Sequence, residues 1–275
     1  MLKIENVEVT GWEAAIRGMR NPLNSWEKSD SGRCLTHGPA NCSDCAYVHF
    51  GCNASDTDID TRYIIGPNDL ELMTSLRNAG TDHRKFMRML VVYLDITAPL
   101  YWWKEFKTYS AGRKFGDGEP DIIDDGYLEY DIEMNSCSTM HKIAAKEFTL
   151  EDFSCEHLID SPLVEEEPGK PALLNMQARE MLVILVNVLN AARYNYLKTK
   201  DKKYWWQMIQ LLPTSYNQKR TVMLNYEVLA NIYKSRRHHK LDEWHTFCDW
   251  VETLPYASLI NAEIACTPSK ENGCE

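Results

Sequence analysis

The sequence predicts an α+β fold with a helix-rich second half, and three observations predict it. A β-branched and aromatic run from Met89 to Ile96, closed by Pro99, reads as a strand. Two long segments in the C-terminal half carry apolar residues at helical spacing. Between the periodic segments lie turn-forming stretches at 28–62 and 113–134, so strands and helices are mixed early and helices dominate late.

The elements follow in order. Val7, Val9 and Trp12 mark a short ordered start, followed by a helical turn to Met19. Residues 28–62 are rich in Ser, Asp, Gly, Cys and Asn with few apolar residues, which gives a loop or a small cysteine-rich insertion. In GPNDLELMTSLRNAG, Pro67 and Asn68 start a helix, Leu70, Met73 and Leu76 space its inner face, and Gly80 ends it. YWWKEFKTY follows the strand as a helix with Trp102, Trp103 and Phe106 on one side. Residues 113–134 hold eight acids and three glycines, which predicts an exposed acidic loop. A helix is expected from about Pro171 to Thr199, with Leu174, Ala178, Met181, Leu185, Val188 and Ala192 as its apolar stripe. After YWWQMIQLLP a second is expected from about Lys219 to Lys234, and a last one over Asp242 to Leu254. The tripeptide YWW at Tyr101 and Tyr204 is read as core aromatics and not as a repeat. The whole of 1–275 is expected to form one domain bearing the two insertions.

Composition narrows the function classes. Of 275 residues 44% are hydrophobic, with 14 Tyr, 8 Trp and 7 Phe, which argues for a packed chain. A formal net charge of −10 argues against a nucleic-acid polymer as partner but leaves room for a small anionic ligand in a local basic pocket. No run approaches the roughly 18 apolar residues of a membrane span, and the opening segment mixes charge into its apolar positions. A cytoplasmic protein is expected. Nine cysteines, an odd number, make an extracellular disulfide scaffold a poor reading.

Two separated segments carry a resemblance. The first is ITAPLYWWKEFKTYSAG, resumed after the acidic loop as NSCSTMH; the second is LLPTSYNQKRTVMLNYEVLANIYKSR. Both resemble the flavin-dependent thymidylate synthases (ThyX). In that family a strand ending in Ala-Pro leads into a helix and an Arg-His-Arg signature continued by Asn-Glu-x-Ser; Ala98-Pro99, Asn135 and Ser138 match. The family's Leu-Pro is followed by Asn, Asn and Arg at fixed spacings, which Leu212-Pro213, Asn225, Asn231 and Arg236 reproduce without a gap. Where the family has Arg-His-Arg, the chain has Thr108-Tyr109-Ser110 with Lys107 just before. Further family positions, Gln and two Arg, are Glu105, Ile209 and Glu227.

The resemblance implies a ThyX-like fold with a central antiparallel sheet. It also implies an FAD-dependent reductive methylation of dUMP, or a related pyrimidine C5 modification, with methylenetetrahydrofolate and reduced nicotinamide as further ligands, in a homotetramer. Asn225 and Asn231 would contact flavin, because its edges want groups that both donate and accept. Arg236 would polarise the pyrimidine as the catalytic cation. Ser138, Lys107 and Arg236 would bind the nucleotide, with Lys104 or Arg113 as other replacements for the signature arginines. The alternative is a catalytically inactive member of the fold that binds a nucleotide or a protein. Without the resemblance, Asn225 and Asn231 are ordinary helix residues and Arg236 is a cation at a basic helix end. Ser138 is then a cap for a helix starting at Thr139, and Lys107 a solvated lysine.

Outside the resemblance, Cys34, Cys42, Cys45 and Cys52 place a CxxC between two flanking cysteines. Four thiolates in a segment with little core suit structural zinc; free thiols are the competing reading, and a redox pair a third. The acidic loop lacks the ligand pattern of an EF-hand and is read as solvated.

Overall fold

The chain opens with a full strand, β1 (Lys3–Thr10), and turns at Gly11 into α1 (Trp12–Arg20). Gly11 sits at φ +94°, and a Cβ there would lie 1.9 Å from the Met89 carbonyl oxygen, so this turn requires glycine. The computed structural model describes residues 2–33, 63–110, 132–161 and 177–261. The other elements are β2 (Gly32–Arg33), β3 (Tyr63–Ile64), α2 (Pro67–Asn78), β4 (Val91–Pro99), α3 (Leu100–Phe106) and β5 (Glu133–Ser136). They continue with α4 (Ala178–Thr199), α5 (Lys202–Leu211), β6 (Asn217–Asn225), α6 (Tyr226–Arg236) and α7 (Asp242–Glu252). The antiparallel sheet has the order β1-β4-β6-β5, and β2 pairs with β3 apart from it. The class is α+β, as the sequence predicts. The chain packs as two compact units, Met1–Val7 with Leu94–Val222, and Glu8–Tyr93 with Met223–Glu275.

In the first unit, β4 buries Leu94, Ile96 and Ala98 and turns Asp95 and Thr97 the other way, the period of two that a half-buried strand requires. The first two amides of α3 donate to Tyr216 O and Thr214 O, each at 3.0 Å, so residues 214–216 satisfy that helix start. α3 buries Trp102, Trp103 and Phe106 as expected. The helix expected from Lys219 is instead a strand as far as Asn225. Gln218, Arg220 and Val222 are buried while their neighbours are not, an alternation that a 3.6-residue period cannot produce. The helix starts only at Tyr226.

α4 begins at Ala178; the expected start at Pro171 and Leu174 lie outside the described residues. Its buried stripe is Leu182, Val186, Leu189 and Ala192, packed with Met208 of α5 and with Ile143, Phe148 and Phe153. The expected stripe therefore holds at Ala192 and, half-buried, at Leu185, and fails at Met181 and Val188, which are 58% and 43% exposed. Apolar residues surround this helix, so their spacing alone could not say which face would be covered. Lys200 in the left-handed conformation (φ 58°) ends α4, and Asp201 caps α5 by accepting from Lys203 N at 3.0 Å.

In the second unit, α1 buries Trp12, Ala15, Ile16 and Met19, and the Trp12 ring meets Tyr226 and Tyr256 edge-on at 5.5 and 5.3 Å. α2 runs as predicted, but Met73 shares its buried face with a carboxylate, Asp69. Asp69 accepts from Arg20 Nε (2.6 Å), the hydroxyls of Ser29 (2.7 Å) and Ser31 (2.6 Å), and the amides of Asp30 and Ser31 (3.1 Å each). The arrangement is reciprocal. Asp30 accepts from the amides of Asn68 (2.9 Å) and Asp69 (3.1 Å), and so caps α2 from another segment. The close approach requires Gly66, whose Cβ would fall 2.2 Å from Asp30 Cγ. Residues 29–31 are thereby fixed, and the β2–β3 ladder, Gly32 opposite Ile64 and Arg33 opposite Tyr63, closes the root of the cysteine-rich segment. α6 packs against α7, with Leu229 and Ile232 of the one and Trp244, Phe247 and Val251 of the other all buried; burial pushes the Cys248 thiol up to about 12.

Candidate functional site

The sequence-predicted residues fall in two places. Asn225, Asn231 and Arg236 belong to the β6–α6 junction and to α6, in the second unit; Ser138 and Lys107 belong to the first.

Asn225 ends β6 in an extended conformation and becomes the N-cap of α6, with its Oδ1 accepting from Val228 N at 3.0 Å. Its carboxamide NH2 has no acceptor among the described residues. Asn231 is exposed, with its backbone carbonyl taken by Ser235 Oγ at 2.9 Å. Arg236 is half-buried, its guanidinium 5.0 Å from the Trp244 ring centre. At 1.5 Å per residue, Asn225 and Arg236 stand roughly 16 Å apart along the axis on nearly one side, and Asn231 lies roughly 120–140° around from them. A group reaching more than one of them would have to extend along and around the helix. The set does not fit one ring touched by all three side chains at once. Glu227, where the family carries arginine, is buried and accepts from Arg84 Nε at 3.1 Å and from Arg88 Nε. Two cations on neighbouring turns thus fix an acid at this position.

Ser138 follows β5, and β6 places it. Gln218 Nε2 donates to Cys137 O at 2.6 Å, and Cys137 N donates to Lys219 O at 3.0 Å. The Ser138 hydroxyl oxygen accepts from the amides of Met140 (3.3 Å) and His141 (2.9 Å), with His141 Nδ1 at 3.3 Å. It caps a turn, where the sequence suggested a helix starting at Thr139. Ser138 lines a cavity of about 810 Å³ together with Lys146, Arg179, Tyr216 and Lys219. Lys107 opens the single turn after α3, is exposed, and is not among the described residues lining that cavity. Lys104 is exposed on α3, and Arg113 lies outside the described residues.

Sequence reasoning missed most of this cavity. Tyr216 packs edge-on against Phe153 and Phe148, with centroids at 5.6 and 6.3 Å, and burial raises its phenol above the ordinary range. Lys146 pairs with Asp152, and Lys219 with Asp95 at 3.0 Å. Beside them Arg220, 8% exposed, lies 4.3 Å from the Trp103 ring centre. It donates twice to Gln218 Oε1, at 3.1 and 2.8 Å, and points Nη1 at the Met134 sulfur, 3.2 Å away. No carboxylate contacts Arg220 among the described residues. The legible signal was the alternation over 217–224, which the expected helix obscured.

Cys34, Cys42, Cys45 and Cys52, the expected zinc ligands, and the acidic loop up to residue 131 lie outside the described residues. Among the described residues no group of three or more His, Cys, Asp or Glu could hold a metal ion. No described helix is long and apolar enough to cross a membrane.

No protein-family model and no curated protein matches the sequence. Solved structures do match. Thymidylate synthase X (ThyX) from Helicobacter pylori, crystallised with FAD and dUMP, aligns over 94% of this chain and 99% of its own, with TM-score 0.55 and 14% identity. The UMP/dUMP methylase PolB from Streptomyces cacaoi, bound with 5-Br UMP, aligns over 97% of this chain and 94% of its own, with TM-score 0.52 and 12% identity. The fold is therefore ThyX-like along nearly the whole chain, as the two sequence segments implied.

Proposed function

We propose that this protein is a flavin-dependent enzyme that reductively methylates C5 of a pyrimidine nucleotide, dUMP or a close relative. Methylenetetrahydrofolate would be the carbon donor and reduced nicotinamide the reductant. One observation carries the reading: the fold likeness extends over 94% of the chain to a protein crystallised with FAD and dUMP, and over 97% to a UMP/dUMP methylase. When bound, the flavin supplies the hydride chemistry. The chain's own residues would hold and orient. Asn231 and the NH2 group of Asn225 would contact the cofactor along α6. Arg236, its guanidinium held over the Trp244 ring, would stabilise negative charge developing on the pyrimidine. Ser138 would donate its proton to the nucleotide phosphate, with Lys107 a second candidate there. Assembly as a homotetramer belongs to the same proposal; exposed Met181, Ile184 and Val188 on α4 offer an apolar face that assembly would cover. Structural zinc at Cys34, Cys42, Cys45 and Cys52 is a separate proposal, read by the metal content of the protein before and after Cys42→Ser with Cys45→Ser.

A second reading, a catalytically inactive member of the fold, is favoured by a specific observation. The Asn225 carbonyl is spent on a helix cap, and Glu227 is locked by two arginines, so two family positions serve structure in this chain. Flavin uptake separates the two. The enzyme reading expects a yellow protein with a flavin absorbance band that converts dUMP when given folate and reductant. A protein that stays colourless with added FAD leaves the second reading standing.

A further inference from the structure

The cavity in the first unit has unused bonding capacity. Tyr216 lines it, and its phenol oxygen has no hydrogen-bond partner among the described residues. The charged groups that act on that phenol, Asp152 and Lys146, line the same cavity, as does Cys137. Arg179, in the first turn of α4, has only a 3.9 Å contact with Asp160 among the described residues, although a guanidinium offers five donors. The Ser138 oxygen already accepts two amides, which leaves its proton for His141 Nδ1 or for a ligand. Asp152 is committed to Lys146 and to the Thr149 amide at 2.9 Å, so it is not an empty acceptor waiting for Arg179. Leu150 and Phe153 add apolar wall. At about 810 Å³ the space is of small-molecule size. In a chain of net charge −10, a pocket with four cationic side chains against three acidic ones selects an anion with an apolar body.

We propose that this cavity binds the phosphate end of a nucleoside monophosphate, with Arg179 as the forked phosphate ligand and the Tyr216 hydroxyl and Ser138 as neutral donors beside it. The inference rests on the nucleotide reading of the preceding section and names which groups take over at the Thr108-Tyr109-Ser110 replacement. Lys146 and Lys219, each already paired to an acid, set the local field and do not lead the contact. A planar guanidinium suits a dianionic phosphate better than the point charge of Lys107.

The test is calorimetric titration of the purified, FAD-supplemented protein with dUMP, and separately with inorganic phosphate as competitor. The variants are Arg179→Ala and Tyr216→Phe. A charge-assisted hydrogen bond contributes about 1.5–3 kcal/mol, so Arg179→Ala should weaken dUMP binding about 10- to 150-fold. Tyr216→Phe, which removes one oxygen and keeps the ring packing, should weaken it several-fold. Inorganic phosphate should compete in the unmodified protein and lose that ability in Arg179→Ala. If dUMP binds the unmodified protein and Arg179→Ala and Tyr216→Phe bind it equally well, the inference is overturned and the nucleotide reading survives. If no dUMP binds at all, both fall, and the flavin absorbance of the same sample reports whether the cofactor part stands.

Discussion

Replacing Asp69 with asparagine exchanges one carboxylate oxygen for an NH2 group, yet five donors converge on that carboxylate. Arg20, 4% exposed, loses its counter-charge and cannot shed its own. Its other contacts are neutral acceptors, the Ser25 carbonyl and hydroxyl at 3.2 and 3.3 Å and the Lys28 carbonyl at 3.2 Å. Whichever way the amide turns, its NH2 faces a donor. Breaking a buried ion pair costs about 3–5 kcal/mol. At a urea m-value of about 3 kcal/mol/M, that lowers the unfolding midpoint by about 1–1.7 M. The assay is equilibrium urea unfolding followed by tryptophan fluorescence and far-UV circular dichroism. A pH arm adds a signed expectation. Burial alone would raise the Asp69 carboxyl, but hydrogen bonds from Ser31, Ser29 and Arg20 outweigh it and hold the group below the ordinary carboxylate range. A depressed folded value means that its stabilisation is complete above the unfolded value of about 4 and is lost as pH falls further, so Asp69→Asn should flatten that acid limb. Arg20→Met combined with Asp69→Leu should recover much of the loss, because no buried charge remains. A loss below about 1 kcal/mol in Asp69→Asn, or a double variant worse than the single, would show that the pair does not hold residues 29–31 and α2 together.

Three further outcomes follow from the same geometry. Glu227→Gln should cost about 1–2 kcal/mol, less than at Asp69 because Arg84 and Arg88 both reach solvent, while Glu227→Arg, which installs the family residue, should cost more by gathering three cations; urea midpoints that rank the two variants the other way refute this. Asp95 is held at about 2 by the Thr221 hydroxyl, then by Asn6 and Lys219, so its contribution is intact above about pH 4 and disappears as pH falls through about 2; Asp95→Asn should show a shallower acid limb, and parallel curves would count against the network. Ile184→Lys with Val188→Glu places charge on the exposed face of α4 and should leave the fold intact while lowering the mass measured by light scattering, whereas an unchanged mass would remove that face from any assembly.

What the sequence determined is what local physics and fixed spacing determine. Pro67 and Gly80 bracketed α2, the Trp102, Trp103 and Phe106 side of α3 was legible as core, and the spacing from Pro213 through Asn225 and Asn231 to Arg236 pointed to the fold whose likeness covers 94% of the chain. It could not separate β6 from α6, because alternating and helical apolar patterns overlap in TVMLNYEVLANI and only packing decides between them. It could not choose the buried face of α4, which is apolar all round. Above all it could not find the cavity. Tyr216, Lys146, Arg179 and Ser138 are scattered over segments that have no periodic relation to one another, and only tertiary packing gives them a common wall. The Asp69 hub shows the same limit: one acid on a predicted helix looks like solvent-facing charge until Arg20, Ser29 and Ser31 are folded around it.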